Sequence, residues 1–231
     1  MHKKNILIIL FVISSLLVLL ACSKSNENRS NPTNKLKHTL TAPKDSIIFY
    51  NPTIKEPPNI VHYIIDTVKS KVFWAIDKHN GYVKFSYGKI GVLNKKIFNG
   101  VFTVNMDSIV DLDIDYQLMK GTLERILKSA DFFNSAKYPS SIFKIDSTKM
   151  IDKNNYFIAG YMKIFNIIKP VSFKSRITIK KDSLFAQTEK FSIDRTKWGL
   201  NVYTKDHIKN NDGFIVPNKI NLRISITAYK K

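Results

Sequence analysis

Apolar and polar residues alternate with a period of two along most of the chain after Asn59. In the clearest case, 171–179, one face of the segment would carry Val171, Phe173, Ser175, Ile177 and Ile179. This period is typical of a β-strand with one buried and one solvated face, because successive side chains of a strand point to opposite sides. The alternation predicts eight strands, at about 71–77, 82–93, 97–106, 141–150, 156–165, 171–180, 183–193 and 219–229.

One segment departs from this alternation. Between 116 and 130, four apolar residues recur at helical spacing, namely Met119, Leu123, Ile126 and Leu127, which predicts one helix inserted after the third strand. The strand connections around Lys95, 152–155, 166–169 and 181–182 have the length of hairpin turns. The fold class expected is therefore all-β, an eight-stranded antiparallel barrel with one helix. A barrel of this size has an interior that side chains fill or that holds one small ligand.

The N-terminus has the pattern of an export signal. Residues 1–21 begin with basic residues, continue through an apolar run from Ile6 to Leu20 and end at Ala21. The sequence L-L-A-C that ends at Cys22, the sole cysteine of the chain, resembles the bacterial lipobox. This motif predicts cleavage before Cys22 and acylation of its thiol, for example by palmitate. An ordinary signal peptide with an incidental cysteine is the alternative.

Residues 22–58 are rich in Ser, Asn, Lys, Thr and Pro and contain too few apolar residues to fold alone. They are expected to form a flexible linker between the lipid anchor and a domain at 59–231. The signal, the anchor and the linker together predict a membrane-anchored lipoprotein of the bacterial cell envelope, on its periplasmic or surface face.

Composition and charge limit the choice of partners. The chain has 231 residues, 44% of them apolar, which is typical of a folded globular protein. The formal net charge is +19, but most of the 37 basic residues are scattered lysines. Proteins that bind nucleic acids rely on Arg and on clustered charge. We interpret the charge first as coding bias, second as affinity for an anionic membrane, and we expect no nucleic-acid partner.

Residues that could carry catalysis or bind metals are sparse. The five histidines show no pair at metal-ligand spacing, and no nucleophile motif is present. Asp111, Asp113 and Asp115 imitate the start of a calcium loop, but Tyr116 and Thr122 stand where such a loop needs Gly and Glu. The sequence therefore predicts no enzyme, no metal site and no cofactor.

Several stretches in order resemble the YceI-like domain family over roughly 62–229. They are Ser70 to Trp74, His79 to Phe85, Asn99 to Ile109, Leu127 to Phe133 with Tyr138-Pro139, Gly160 to Phe173, and Phe191 to Gly199. The resemblance implies an exported, lipocalin-like barrel whose apolar cavity holds a polyisoprenoid or a similar long-chain lipid, without established catalysis. Two positions depart from the family pattern. Ile126 stands where the family usually has a His, close to Glu124, which keeps the family's acidic residue. Asn166 stands where the family commonly has a turn Gly, and we expect Asn166 to adopt the left-handed backbone conformation of that Gly.

Ten residues are the candidates for lining this cavity: Trp74, Phe85, Tyr87, Phe102, Phe132, Phe133, Phe143, Phe173, Arg195 and Trp198. Their aromatic rings either fill the interior or surround a lipid. Arg195 either clamps a turn or faces a lipid headgroup, with Trp198 capping the barrel end. The alternative function is a structural or adhesive envelope lipoprotein with a filled barrel. A second copy of the chain, in a homodimer, is a further candidate partner.

Overall fold

The computed structural model describes residues 56–206 and 215–231. The predicted signal, Cys22 and nearly all of the predicted linker lie outside the described residues. Within them the strands are β1 (Val61–Ile65), β2 (Lys71–Ile76), β3 (His79–Leu93), β4 (Lys96–Asn105), β5 (Val110–Asp111), β6 (Ser140–Met150), β7 (Asn155–Ile164), β8 (Ile167–Lys180), β9 (Ser183–Thr188), β10 (Phe191–Asp194) and β11 (Lys219–Lys230). The helix α1 spans Gln117–Lys128, and two 3-10 helices span Met106–Ser108 and Arg195–Trp198.

The strands close into an antiparallel ring, which confirms the predicted fold class. Apart from the short β1, β5 and β10, each strand pairs with the next of the remaining strands along the chain, and β11 pairs with both β2 and β9 to complete the ring. The ring has eight positions, which we call staves, because two of them are interrupted strands. β1 and β2 form one stave between β3 and β11, and β9 and β10 form another between β8 and β11. Seven of the eight predicted strands are present as single strands, whereas the strand predicted at 183–193 is divided into β9 and β10. Sequence alternation missed the short β1 and β5.

A buried hydroxyl bridges each interruption to β11. At the break between β1 and β2, the Ser70 hydroxyl donates to the Thr227 carbonyl at 3.2 Å and accepts the Thr227 N–H at 3.1 Å. At the break between β9 and β10, the Thr188 hydroxyl accepts the Ile224 N–H at 2.9 Å. Both residues are buried. The two side chains thus replace ladder hydrogen bonds that the broken staves do not supply.

The core lies inside the ring, on the inward face of every stave. On β8 the inward residues Phe173, Ser175 and Ile177 are buried, whereas Ser172 and Lys174 are exposed. The predicted alternation of this segment is therefore confirmed. The same period places apolar residues from every stave in one continuous core.

One end of the ring carries the helix, and we call it the helix end. The registers Ile76 with His79 and Ile164 with Ile167 place two hairpin turns there. The start of β11 and the second 3-10 helix lie at the same end, because Asp194 pairs with Lys219. The predicted helix at 116–130 is confirmed, although it has no fully buried residue and only Leu127 packs partly against the core.

The turn between β7 and β8 differs from the prediction. Phe165, not Asn166, takes the left-handed conformation, with φ of 54°, and β8 already begins at Ile167. The ring of Phe165 packs edge-on against Tyr138 at 5.1 Å. This aromatic contact favours a conformation that a bulky residue otherwise avoids. The predicted hairpin turns around Lys95 and 181–182 are present, and Asn94, Lys95 and Lys181 take left-handed conformations in them.

Candidate ligand-binding site

Five phenylalanine rings form a continuous row across the ring interior. Each ring is close to the next in the order Phe85, Phe102, Phe143, Phe173 and Phe191. The distances between successive ring centroids are 6.3, 6.4, 5.3 and 4.6 Å. The rings come from β3, β4, β6, β8 and β10. Four of them are sequence-predicted candidates, and Phe191 is an addition. The structure therefore brings these candidates together on one apolar surface.

Small residues of neighbouring strands make room for this row. Gly160 of β7 is buried between β6 and β8, and a Cβ atom there would lie 2.8 Å from the Cζ atom of Phe143. Ser175 and Ala228 also face inward, with 3% and 0% of their surfaces exposed. The ring of Phe143 thus packs directly on backbone. An inward glycine diagonally across from a predicted inward aromatic, as Gly160 is to Phe143, is a signal from which sequence analysis could have found this contact.

Trp74 of β2 lies nearer the helix end and is half-buried against the core. Its indole nitrogen is buried and has no hydrogen-bond partner within the described residues. Buried indole N–H groups usually have an acceptor. Trp74 therefore offers an unused donor that the hydroxyl, phosphate or carbonyl oxygen of a bound molecule could accept.

Arg195 and Trp198 lie at the same end and donate hydrogen bonds to backbone carbonyls. Arg195 is 2% exposed, and its guanidinium donates to the carbonyls of Pro217 at 3.0 Å and Leu200 at 2.6 Å, and also to those of Val202 and Val216. Burial lowers the pKa of Arg195. The Trp198 indole donates to the Met162 carbonyl at 3.1 Å. These bonds have the geometry of the predicted turn clamp, and a headgroup contact of Arg195 stays a prediction.

The remaining three candidates lie outside the phenylalanine row. Tyr87 is half-buried beside a bulge of β3, and burial raises the pKa of its phenol. Phe133 packs partly against the core, and Phe132 contacts Tyr203, with ring centroids 5.9 Å apart. A role for these three side chains in ligand binding stays a prediction.

Comparison with known proteins identifies the family. The YceI-like domain family matches residues 63–228. The chain belongs to the YceI-like domain family. Two solved structures of similar fold are BcnA of Burkholderia cenocepacia and a polyisoprenoid binding domain of Saccharophagus degradans implicated in plant cell wall breakdown.

The structural likeness spans nearly all of both neighbours. BcnA has a TM-score of 0.57 at 17% identity, with 71% of this chain and 98% of BcnA covered. The Saccharophagus domain has a TM-score of 0.53 at 8% identity, with 73% of this chain and 98% of that domain covered. At these identities the likeness establishes the shared YceI-like fold.

A search of the curated proteins finds no match. Over 56–206 and 215–231, no helix has both the length and the apolarity needed to cross a membrane.

Proposed function

We propose that this YceI-like domain binds a polyisoprenoid or a similar long-chain apolar lipid inside its ring of strands. The observation that carries the proposal is the row of five phenylalanine rings on the inward face of a closed antiparallel ring. Family membership supports it, as does the fold shared with a domain described as polyisoprenoid binding. The function proposed is binding, without a catalytic step.

The chemistry of the interior suits a slender apolar chain with one polar end. Each methylene group that leaves water for the interior contributes roughly 0.8 kcal/mol before the entropy cost of binding. The phenyl rings supply the apolar contact area. The unpartnered indole N–H of Trp74, nearer the helix end, suits an oxygen at the polar end of the lipid.

The proposal also includes an anchor at Cys22 and a location in the bacterial cell envelope. The support is the signal-like segment 1–21 and the lipobox-like sequence before Cys22. A flexible chain of about 36 residues has a root-mean-square span of roughly 30–35 Å. With such a tether, the domain could reach the bilayer that supplies or receives its lipid.

One observation favours the alternative of a structural lipoprotein with a filled interior. Ring separations of 4.6–6.4 Å are those of aromatic side chains in direct contact. A lipid must then lie beside the row or shift some of its rings. Uptake of added lipid separates the two functions, because a permanently filled interior takes up none.

Two serines on opposite faces of β8 provide a matched test of the site. Ser175 is buried inside the ring and Ser172 is exposed outside it. We expect Ser175→Phe to weaken uptake of a fluorescent long-chain isoprenoid alcohol at least tenfold, and Ser172→Phe to leave uptake within about twofold, because the former alone adds bulk to the interior. Circular dichroism checks that both variants fold. Ala228→Trp, on β11, provides a second variant that fills the interior. Uptake that is unchanged in both folded inward variants would contradict an interior site.

A further inference from the structure

The end of β5 and the loop that follows it bring two aspartates to the first residue of β3. The Nδ1 atom of His79 lies 3.0 Å from the Oδ2 atom of Asp113. Asp111 completes a group in which one ligand atom from each residue lies within 4.8 Å of the others. Bonds of about 2.0–2.2 Å around one zinc ion place its ligand atoms roughly 3–4 Å apart. The cluster therefore has nearly the dimensions of a zinc site.

Asp111 is a buried carboxylate with one uncompensated oxygen. The residue is 0% exposed. Its Oδ1 atom accepts the N–H groups of Asp113 at 3.2 Å and Ile114 at 2.9 Å. Its Oδ2 atom is buried and has no hydrogen-bond partner within the part of the chain that the structure describes. Such an atom is costly unless a proton or a cation compensates it.

The titration behaviour of the two carboxyls agrees with this geometry. Burial chiefly, with a contribution from the neighbouring Asp113, raises the pKa of Asp111. Burial also opposes ionisation of Asp113, but hydrogen bonds from the Asn80 N–H and from His79 outweigh it and lower the pKa of Asp113. The buried Asp111 carboxylate is thus poorly compensated by the groups around it, and a bound cation would compensate it.

Backbone contacts hold the three side chains in place. Asn80 donates its N–H to the Oδ1 atom of Asp113 at 2.6 Å, and its carbonyl accepts the Leu112 N–H at 2.9 Å. Glu124 of α1 accepts the Asp111 N–H at 2.9 Å. Gly81 pairs with Asp111, and a Cβ atom at Gly81 would collide with the Val110 carbonyl. The loop is thus fixed against β3 and α1 before any ligand arrives.

We propose that His79, Asp111 and Asp113 bind one Zn²⁺ ion. An imidazole nitrogen with two carboxylates suits zinc, whereas calcium takes six to eight oxygen ligands. The side chains of His79 and Asp113 are 21% and 22% exposed, so water can supply a fourth ligand from the solvent side. The spacing of Asp111, Asp113 and Asp115 imitated a calcium loop, but the structure groups the first two with His79, which lies 32 residues before Asp111 in the sequence.

The test is a titration of the full chain, purified in detergent and stripped with a chelator, with Zn²⁺ against a competing chromophoric chelator. We expect one saturable site in the wild type. Asp111→Asn and His79→Gln should each weaken Zn²⁺ binding at least tenfold. Asp115→Asn, in the same loop, and His62→Gln, on β1, should leave the affinity within about twofold. If Asp111→Asn or His79→Gln fails to fold, Asp113→Asn is tested in its place.

A spectroscopic measurement identifies the ligand directly. Zn²⁺ should shift the ring resonances of His79 in a histidine NMR spectrum of the wild type, and this shift should disappear in Asp111→Asn. The proposal is overturned if the wild type binds no Zn²⁺ saturably, or if His62→Gln removes the binding and Asp111→Asn does not.

Discussion

At the scale of single residues, Arg195 is a buried charge that backbone carbonyls stabilise. Its guanidinium joins the carbonyls of Leu200 and Val202 to those of Val216 and Pro217. Lysine keeps the charge but cannot present a planar fork to four acceptors. We expect Arg195→Lys to lower the free energy of unfolding by about 2–4 kcal/mol, because buried carbonyls lose their donors. Urea unfolding measures the change.

The control for this prediction is an arginine on the outer face. Arg176→Lys, on the exposed side of β8, should change the free energy of unfolding by less than about 0.5 kcal/mol. If Arg195→Lys instead leaves stability unchanged and abolishes isoprenoid uptake, the guanidinium serves a lipid headgroup and not the turn clamp.

The sequence predicted four of the five rings in the phenylalanine row, and the reason for missing the fifth is physical. Period-two alternation places Phe85, Phe102, Phe143 and Phe173 on inward faces. Treating 183–193 as one strand sets even-numbered residues inward, as Leu184 is. The interruption between β9 and β10 reverses this parity, so Phe191 faces the core. Alternation alone cannot show such a reversal.

At the scale of elements, the two interrupted staves depend on hydroxyl groups. Thr188→Val keeps the shape of the side chain but removes the acceptor of the Ile224 N–H. We expect this change to lower the free energy of unfolding by about 1–3 kcal/mol, because the N–H loses its partner inside the protein. Denaturant unfolding measures the loss.

Thr178→Val is the matched control, because Thr178 lies within a continuous strand, β8, and not at a break. It should cost less than about 0.5 kcal/mol. Equal losses in the two variants would show that threonine hydroxyls contribute generally and that Thr188 has no special role at the break.

Helix α1 and the continuous strands could be predicted from periodicity, but the short elements could not. β1 is five residues long and ends in two adjacent isoleucines, Ile64 and Ile65, so it shows no sustained alternation. β5 has two residues and exists because its backbone pairs with Gly81 and Tyr82 of β3. Pairing between distant segments, not local pattern, defines both strands. The candidate zinc site could not be predicted either, because pairing between β5 and β3 brings its aspartates to His79.

At the scale of the whole molecule, the ring was predictable because its neighbours in space are neighbours in sequence. Hairpin-length turns connect most of the staves, and each stave pairs with the next one along the chain. The contents of the interior were not predictable, because a void depends on how side chains pack and not on which face they occupy. The resemblance to the YceI-like family indicated a lipid ligand. The row of phenylalanine rings, beside which the lipid would lie, became visible only in the structure.

The proposed anchor predicts how the full-length protein partitions between membrane and soluble fractions. Cys22→Ser removes the thiol that would carry the acyl chain. We expect the variant to lose incorporation of radiolabelled palmitate, and its processed form to move from the detergent-requiring fraction to the soluble one. Ser23→Ala, the neighbouring substitution, should change neither property. A Cys22→Ser variant that still needs detergent would contradict a lipid anchor at this position.

Native mass spectrometry of the protein purified from its source envelope shows directly whether the ring of strands carries a lipid. We expect a complex of the YceI-like domain with about one long-chain apolar lipid. Organic extraction should release this lipid, and Ser175→Phe should displace it while Ser172→Phe retains it. A wild-type protein that carries no lipid from the envelope, and that takes up no added isoprenoid, would contradict the account and favour the structural lipoprotein.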